Sequence, residues 1–433
     1  VPAVMSVTKE VGGSRIRLRF GEDPNLYQLA VYYHVYNALI KGNYTEVYLD
    51  ITHGINYMPH LASEAVRLAA YVYAVRNRKS VSLVTVNSDP YSLSRSQSPG
   101  NKQQVDEASR EVPDLTIHRT YDEKVIRWNA PNVVGTLALG ALEWYARVNI
   151  SYRDLYDNEK WQDMPISMRA ETLLLSRLTQ DERDALKLGL VVSASLRDSL
   201  YPVLLSLKDE IEKYRTALTT DLENLAKTPM GVERRGNQLI IRHTNKPSVL
   251  RGEGSATYRA VMAMHAALEV AHRLINGVER YTKVVNNVLA FAVDALERLN
   301  NSYGGVASRA IMAKEIMNFE RVSSDVIKGL VGKQYRLKTW KCLGKRSVEE
   351  CAKLEEEAGA KEDLCSALTG KDEYVLSNYR NLIAHAGFHE YDMFVVIHEE
   401  GGVVKPLITY GDKLNCVKDL IYRSIMIDVS RQG

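Results

Sequence analysis

The sequence predicts an α/β unit with a parallel sheet, followed by a connecting helical and hairpin insertion and an all-α C-terminal part. Three observations carry this. Helix-like and strand-like segments alternate between residues 22 and 150, helical spacing dominates after about 151, and β-rich runs reappear only at 230–246 and 391–411. The expected divisions are 1–155 for the α/β unit, 156–254 for the insertion and 255–433 for the helical part.

The elements follow in order. "DPNLYQLAVYYHVYNALIKG" has helical apolar spacing and a stop at Gly42, and "TEVYLDIT" is a short β-rich run. "PHLASEAVRLAAYVYAVRN" is again helical and "SVSLVTVNSDP" again a strand, so strand, helix and strand imply a right-handed parallel crossover and a Rossmann-like sheet. "VIRWNAPNVVGTLALGALEWYARV" adds an amphipathic helix starting near Pro131 or Asn132. Residues 151 to 228 read as helical, with Thr179 as an N-cap and Glu182 as its capping-box partner. "MGVERRGNQLIIRHTNK" is a hairpin turning at Arg235-Gly236-Asn237. From Ser255 the pattern is nearly all helix, including the whole of 256–300. The exception is a second hairpin closed near Gly401-Gly402, before a last helix from Asp412.

Composition excludes little. There are 56 Lys plus Arg against 53 Asp plus Glu, a net charge of +3, compatible with nucleic acid or a small anion as ligand. No apolar run reaches the roughly 18 residues of a membrane span, since Glu143 and Arg147 interrupt "VVGTLALGALEWYARV", so a cytoplasmic protein with no membrane partner is expected. "VPAVMSVTKEVGG" has neither an initiator methionine nor a signal-peptide pattern, and the expectation is that natural N-terminal residues precede it. Cys342, Cys351, Cys365 and Cys416 lack C-x-x-C spacing, which points to buried free thiols, with a Cys342–Cys365 disulfide as the alternative. His265 and His272 read as structural, and no metal-ligand spacing is found.

Two constellations carry chemistry. "DITHGINYMPHL" stands at the end of a strand and the start of a helix, where open parallel sheets bind ligands. Thr52, His53, Gly54, Asn56 and Tyr57 are its candidate ligand residues, with Asn87 and Ser88 at the neighbouring strand end, and free N–H groups there favour a phosphate. The bland reading is that they cap the helix and complete a turn. The other is "SNYRNLIAHAGFHE", which offers Arg380, Asn381 and His385, with Gly387 ending the helix. Five helical residues turn about 500°, so Arg380 and His385 point about 140° apart, and a single helix cannot easily use both at one reacting atom. A histidine capping a helix C-terminus is the bland reading there.

"DITHGINYMP" followed by "YRNLIAHAGFHE" resembles the type III CRISPR-associated CARF–HEPN ribonucleases over most of the chain. "RNLIAH" matches the R-N-x-x-x-H form of the HEPN domain, and "DITHGINY" looks like the CARF ligand loop. The resemblance implies a CARF domain at 1–155, lacking its first strand, and a HEPN nuclease domain at 255–433. It implies an endoribonuclease that cuts single-stranded RNA without a metal or other cofactor. A cyclic oligoadenylate, cyclic tetra-adenylate in the first instance, would activate it from a site across a CARF homodimer, with larger assemblies left open. Arg380, Asn381 and His385 are then catalytic. The alternative is a ligand-sensing regulator that grips nucleic acid without cutting it, through Arg234, Arg235, Arg242, His243 and Lys246.

Overall fold

In the computed structural model, strand β3 (Glu46–Asp50), helix α2 (Met58–Asn77) and strand β4 (Val81–Ser88) form the expected crossover, with Val47 opposite Leu83 and Leu49 opposite Thr85 in parallel register. The structure describes residues 5–11, 14–20, 23–52, 58–88, 116–150, 152–157, 161, 163–227, 230–236, 238–243, 246–251, 255–359, 365, 368 and 371–431. Preceding β3, helix α1 (Pro24–Lys41) packs against α2. Its buried Leu26, Leu29, Tyr33 and Tyr36 recur at helical spacing, and Asp23 caps it by accepting the Asn25 N–H at 2.8 Å.

The sheet is not wholly parallel. Strand β5 (Ile117–Val125) pairs antiparallel with β4, giving the order β3-β4-β5. "IHRTYDEKV" is rich in charge and exposed nearly throughout, as suits an edge strand that resists further pairing. Strands β1 (Met5–Val11) and β2 (Ser14–Phe20), unread in the sequence, pair antiparallel. They join another sheet, described below.

Helices α3 (Ala130–Val148), α4 (Tyr152–Asp157), α5 (Ile166–Arg177), α6 (Gln180–Arg197), α7 (Tyr201–Ser206) and α8 (Lys208–Lys227) follow. The Thr179–Glu182 capping box is formed at α6, the Glu182 carboxylate accepting the Thr179 N–H at 2.8 Å. Strands β6 (Met230–Arg235) and β7 (Gln238–His243) make the expected hairpin, with Gly236 at φ +59°. In addition β7 lies parallel to β2, Leu18 facing Leu239, so a sheet of order β1-β2-β7-β6 joins the two segments.

Helix α9 (Ser255–Asn276) is buried on almost every side and packs on α1, α2, α3, α6 and α8. One hydrophobic core therefore runs from Leu26 to Val429 through residues on both sides of 155 and 254. The all-helix reading of 256–300 is corrected. After α9 come β8 (Thr282–Val285) and β9 (Val288–Phe291), turned by Asn286 and Asn287 at φ +52° and +62°. Asparagine tolerates the left-handed backbone of a two-residue hairpin, and the flanking "TKVV" and "VLAF" are β-rich.

The remaining elements are α10 (Val293–Tyr303), α11 (Val306–Phe319), α12 (Ser324–Lys328), β10 (Gln334–Arg336), α13 (Leu337–Leu343), α14 (Val348–Gly359), α15 (Asp372–Ala384), β11 (Phe394–Glu400), β12 (Val403–Thr409) and α16 (Leu414–Arg431). Gly401 and Gly402, at φ +58° and +78°, close the β11–β12 hairpin as expected, and β10-β11-β12-β9-β8 forms one sheet. The free-thiol reading is also corrected. Disulfides join Cys342 to Cys351, across the α13–α14 turn, and Cys365 to Cys416, with Cα separations of 5.7 and 5.1 Å. The alternative pair, Cys342 with Cys365, is not formed.

His265 is structural, as expected. Its Nδ1 lies 2.9 Å from the Tyr32 hydroxyl, and Tyr32 and Tyr36 meet its ring edge-on. Burial pushes its imidazole down from 6.5 to about 4, Glu269 opposing and Arg215 reinforcing the shift. The unfolded chain takes up this proton near 6.5 and the folded one only near 4, so the contribution is complete above 6.5 and is lost as the pH falls. Lowering the pH from 7 to 4.5 is expected to cost about 2 to 3 kcal/mol through this residue. Denaturant unfolding of His265→Gln should show a correspondingly flatter acid limb. An acid limb as steep as that of the wild type refutes the assignment.

Candidate functional site

Helix α15 is pinned at both ends. At its start the Asp372 carboxylate accepts the Ser167 hydroxyl at 2.5 Å, with Arg423 at 3.8 Å. Further along, the Tyr379 hydroxyl donates to Asp198 at 2.6 Å, and Arg197 grips the same carboxylate through two N–H groups at 2.9 and 2.7 Å. The buried side, Val375, Tyr379 and Leu382, thus fixes the helix rotation and leaves Arg380 and Asn381 exposed. The helix runs one residue short of His385, which stands at the C-cap with its N–H on the Asn381 carbonyl at 3.2 Å.

The turn after it is left-handed at two residues, Ala386 at φ +49° and Gly387 at φ +86°. Their N–H groups return to the Ile383 and Leu382 carbonyls, both at 2.9 Å, in the bonding of a Schellman cap. Glycine is required at 387, because a Cβ there would stand 3.2 Å from Pro202 Cδ while the backbone is left-handed. The Tyr410 hydroxyl donates to the Gly387 carbonyl and locks the turn.

This turn aims the His385 ring at α11. Its Nδ1 lies 2.9 Å from Glu315 Oε1, while Glu315 Oε2 takes the Lys341 ammonium at 2.7 Å and Lys341 reaches Glu390 at 2.9 Å. Glu315 is 3% exposed, whereas the His385 side chain is 40% exposed. Burial works against the Glu390 charge, but Lys341 and His385 hold its carboxyl below the usual range. With Nδ1 committed to a buried carboxylate, Nε2 is the nitrogen free to exchange protons with a substrate. Sequence reasoning missed Glu315. The signal was a carboxylate on the apolar stripe of Met312, Ile316 and Phe319.

The other constellation is described in part. Thr52 stands at the β3 tip, where its N–H bonds Asp50 at 2.8 Å and its hydroxyl accepts the Ser88 N–H from the β4 tip at 2.8 Å. Thr52, Asn87 and Ser88 therefore come together at the carboxyl ends of the parallel pair. His53, Gly54, Asn56 and Tyr57 lie outside the described residues. Of the basic hairpin, Arg234 and Arg235 are exposed, and Arg235 pairs with Glu233 at 2.7 Å. Among the described residues no group of three or more His, Cys, Asp or Glu is placed to hold a metal ion, and no helix is long and apolar enough to cross a membrane.

The Rossmann-type crossover, with its polar strand tips, is attached to a largely helical remainder, and in open parallel sheets such strand tips are where ligands bind. Residues 1–90 match the family model described as CRISPR system endoribonuclease Csx1, CARF domain. The CRISPR system endoribonuclease Csx1 of Methanocaldococcus jannaschii is 38% identical over 72 residues, a match covering 17% of this chain and 14% of the relative. The family-model match is confined to residues 1–90 and the match to the relative to 72 residues, so the likeness is to a Csx1 CARF domain over a small part of this chain.

Proposed function

We propose that the chain is an endoribonuclease of the HEPN type that cuts single-stranded RNA without a metal, as a cytoplasmic homodimer switched on by a cyclic oligoadenylate. The observation that carries this is the Glu315–His385 pair beside the exposed Arg380 and Asn381. RNA holds its own nucleophile. His385 Nε2 takes the proton of a 2′-hydroxyl, the 2′-oxygen attacks the adjacent phosphorus as the bond to the 5′-oxygen breaks, and the 5′-oxygen takes a proton from a His385 imidazolium, giving a 2′,3′-cyclic phosphate and a 5′-hydroxyl end. Arg380 stabilises the charge that builds on the phosphoryl oxygens, and Asn381 orients the strand. The reading places this site across a two-fold axis, where a second copy brings its own Arg380, Asn381 and His385 alongside.

The activator fits the strand tips, where Thr52, Asn87 and Ser88 supply hydroxyl, amide and backbone groups, and His53, Gly54, Asn56 and Tyr57 complete the loop. The test is incubation with end-labelled single-stranded RNA in EDTA, with and without cyclic tetra-adenylate. Cleavage is expected to need the activator and survive the chelator. RNA retarded on a gel but left intact would select the binding-regulator reading instead.

A further inference from the structure

A cleft of about 250 Å³ opens where the chain beyond α2, the end of α9 and the second half of α10 meet, with Arg78, Arg273, Arg298, Asn301, Ser302 and Tyr303 in its wall. It contains none of the residues of either candidate site. All three arginines are exposed. Nearby, Arg76 of α2 and Arg215 of α8 are neutralised by Glu269, but no ion pair to Arg78, Arg273 or Arg298 is found among the described residues. Three guanidinium groups facing one concavity with no carboxylate partner repel each other and concentrate positive potential there.

Each arginine is held in place by something other than an anion. Arg273 Nε donates to the Arg76 carbonyl at 3.0 Å, which leaves both of its terminal nitrogens for a ligand. Arg298 lies 5.7 Å from the Tyr281 ring centre. Arg78 takes a left-handed backbone, φ +55°, at the end of α2, where glycine is the usual residue and a side chain costs about 1 kcal/mol. Arg127 fixes that turn by donating to the Arg78 carbonyl at 3.1 Å. Burial raises the Tyr303 phenol above its ordinary range while Arg78, Arg273 and Arg127 pull it down, a sign of the positive field in this region.

We propose that this cleft binds a phosphate group, presented by an RNA strand or by a free nucleotide. Planar guanidinium forks match phosphate oxygens two at a time, and Asn301 and Ser302 add neutral donors beside them. The inference does not rest on RNA cleavage, and it is tested with probes that cannot be cleaved.

Binding of a fluorescent 2′-O-methyl RNA oligomer is followed by anisotropy over a salt series, and binding of inorganic pyrophosphate by calorimetry, on the full chain. Arg273→Ala with Arg298→Ala is expected to weaken at least one probe about tenfold or more. For the RNA, the slope of log affinity against log salt should fall by about 1.4 for the two lost contacts. Loss confined to RNA identifies a strand, and loss confined to pyrophosphate identifies a soluble phosphate ligand. Ser302→Glu, which puts a carboxylate into the cleft, should act in the same direction and decides the matter if the double variant does not fold. Unchanged affinity for both probes overturns the proposal. So does an equal loss in a control carrying Arg183→Ala and Arg251→Ala, which would show a general charge effect.

Discussion

His385→Ala is expected to lower RNA cleavage at least about 10³-fold without unfolding the protein. A positioned proton shuttle contributes about 10² to 10⁴-fold, and Glu315, the carboxylate against the ring, is buried and engaged by Lys341 and so is not placed to substitute for it. The fold should survive, because the ring is partly exposed and Glu315 keeps its ammonium partner. Arg380→Ala should cost about 10² to 10³-fold through lost stabilisation of the phosphoryl charge, again with an unchanged melting curve, since the side chain is exposed. Cleavage rates under activator, thermal melts and activator affinity are measured on the same preparations. Near wild-type cleavage in either variant would remove these residues from the chemistry. Abolition of wild-type cleavage by EDTA would remove the metal-free mechanism.

The features legible in the sequence are those with local causes. The Thr179–Glu182 box, the Gly401-Gly402 turn and the hairpin turn at Gly236 each depend on residues within four positions of one another, and all three appear where expected. The parallel pairing of β3 with β4 was legible for a related reason, since a helix of 20 residues between two short apolar strands leaves few other topologies. Asn286-Asn287 carried a comparable local signal, but the long helical patterns on either side outweighed it.

What was hidden depends on distant partners. Nothing in "SRIRLRF" announces a parallel neighbour more than 200 residues away in "QLIIRH". The disulfides are set by how α13 meets α14 and how residue 365 meets α16, not by the spacing of the cysteines. The candidate site divides the same way. Arg380, Asn381 and His385 are contiguous enough to be noticed, whereas Glu315 lies 70 residues from the histidine it orients. The 140° divergence also takes a different form, because helix geometry stops at Ala384 and the left-handed turn at 386 and 387 directs the histidine.

Glu315→Gln provides the sharpest test of that orientation. The two oxygens of Glu315 are divided between His385 and Lys341, and glutamine keeps the shape while removing the charge. An amide N–H turned toward Nδ1 would make that nitrogen an acceptor and move the ring proton to Nε2, the atom proposed to accept a proton from the 2′-hydroxyl. An amide oxygen turned the same way would keep the tautomer but lose the stabilisation of the imidazolium. Either way kcat should fall, by roughly 10² to 10⁴-fold if the wrong tautomer dominates, with KM little changed because Glu315 is too buried to touch substrate. Stability should fall too, by about 1 to 3 kcal/mol, since Lys341 retains only Glu390. Glu315→Asp separates the two effects. It keeps the charge near Lys341 and His385 on a shorter stem, so it should recover part of kcat as well as part of the stability. A purely structural Glu315 predicts the opposite pattern: lower melting temperature in both variants, and an unaltered kcat for the molecules that remain folded. That result would leave His385 without an orienting partner and the proton-transfer mechanism without its structural basis.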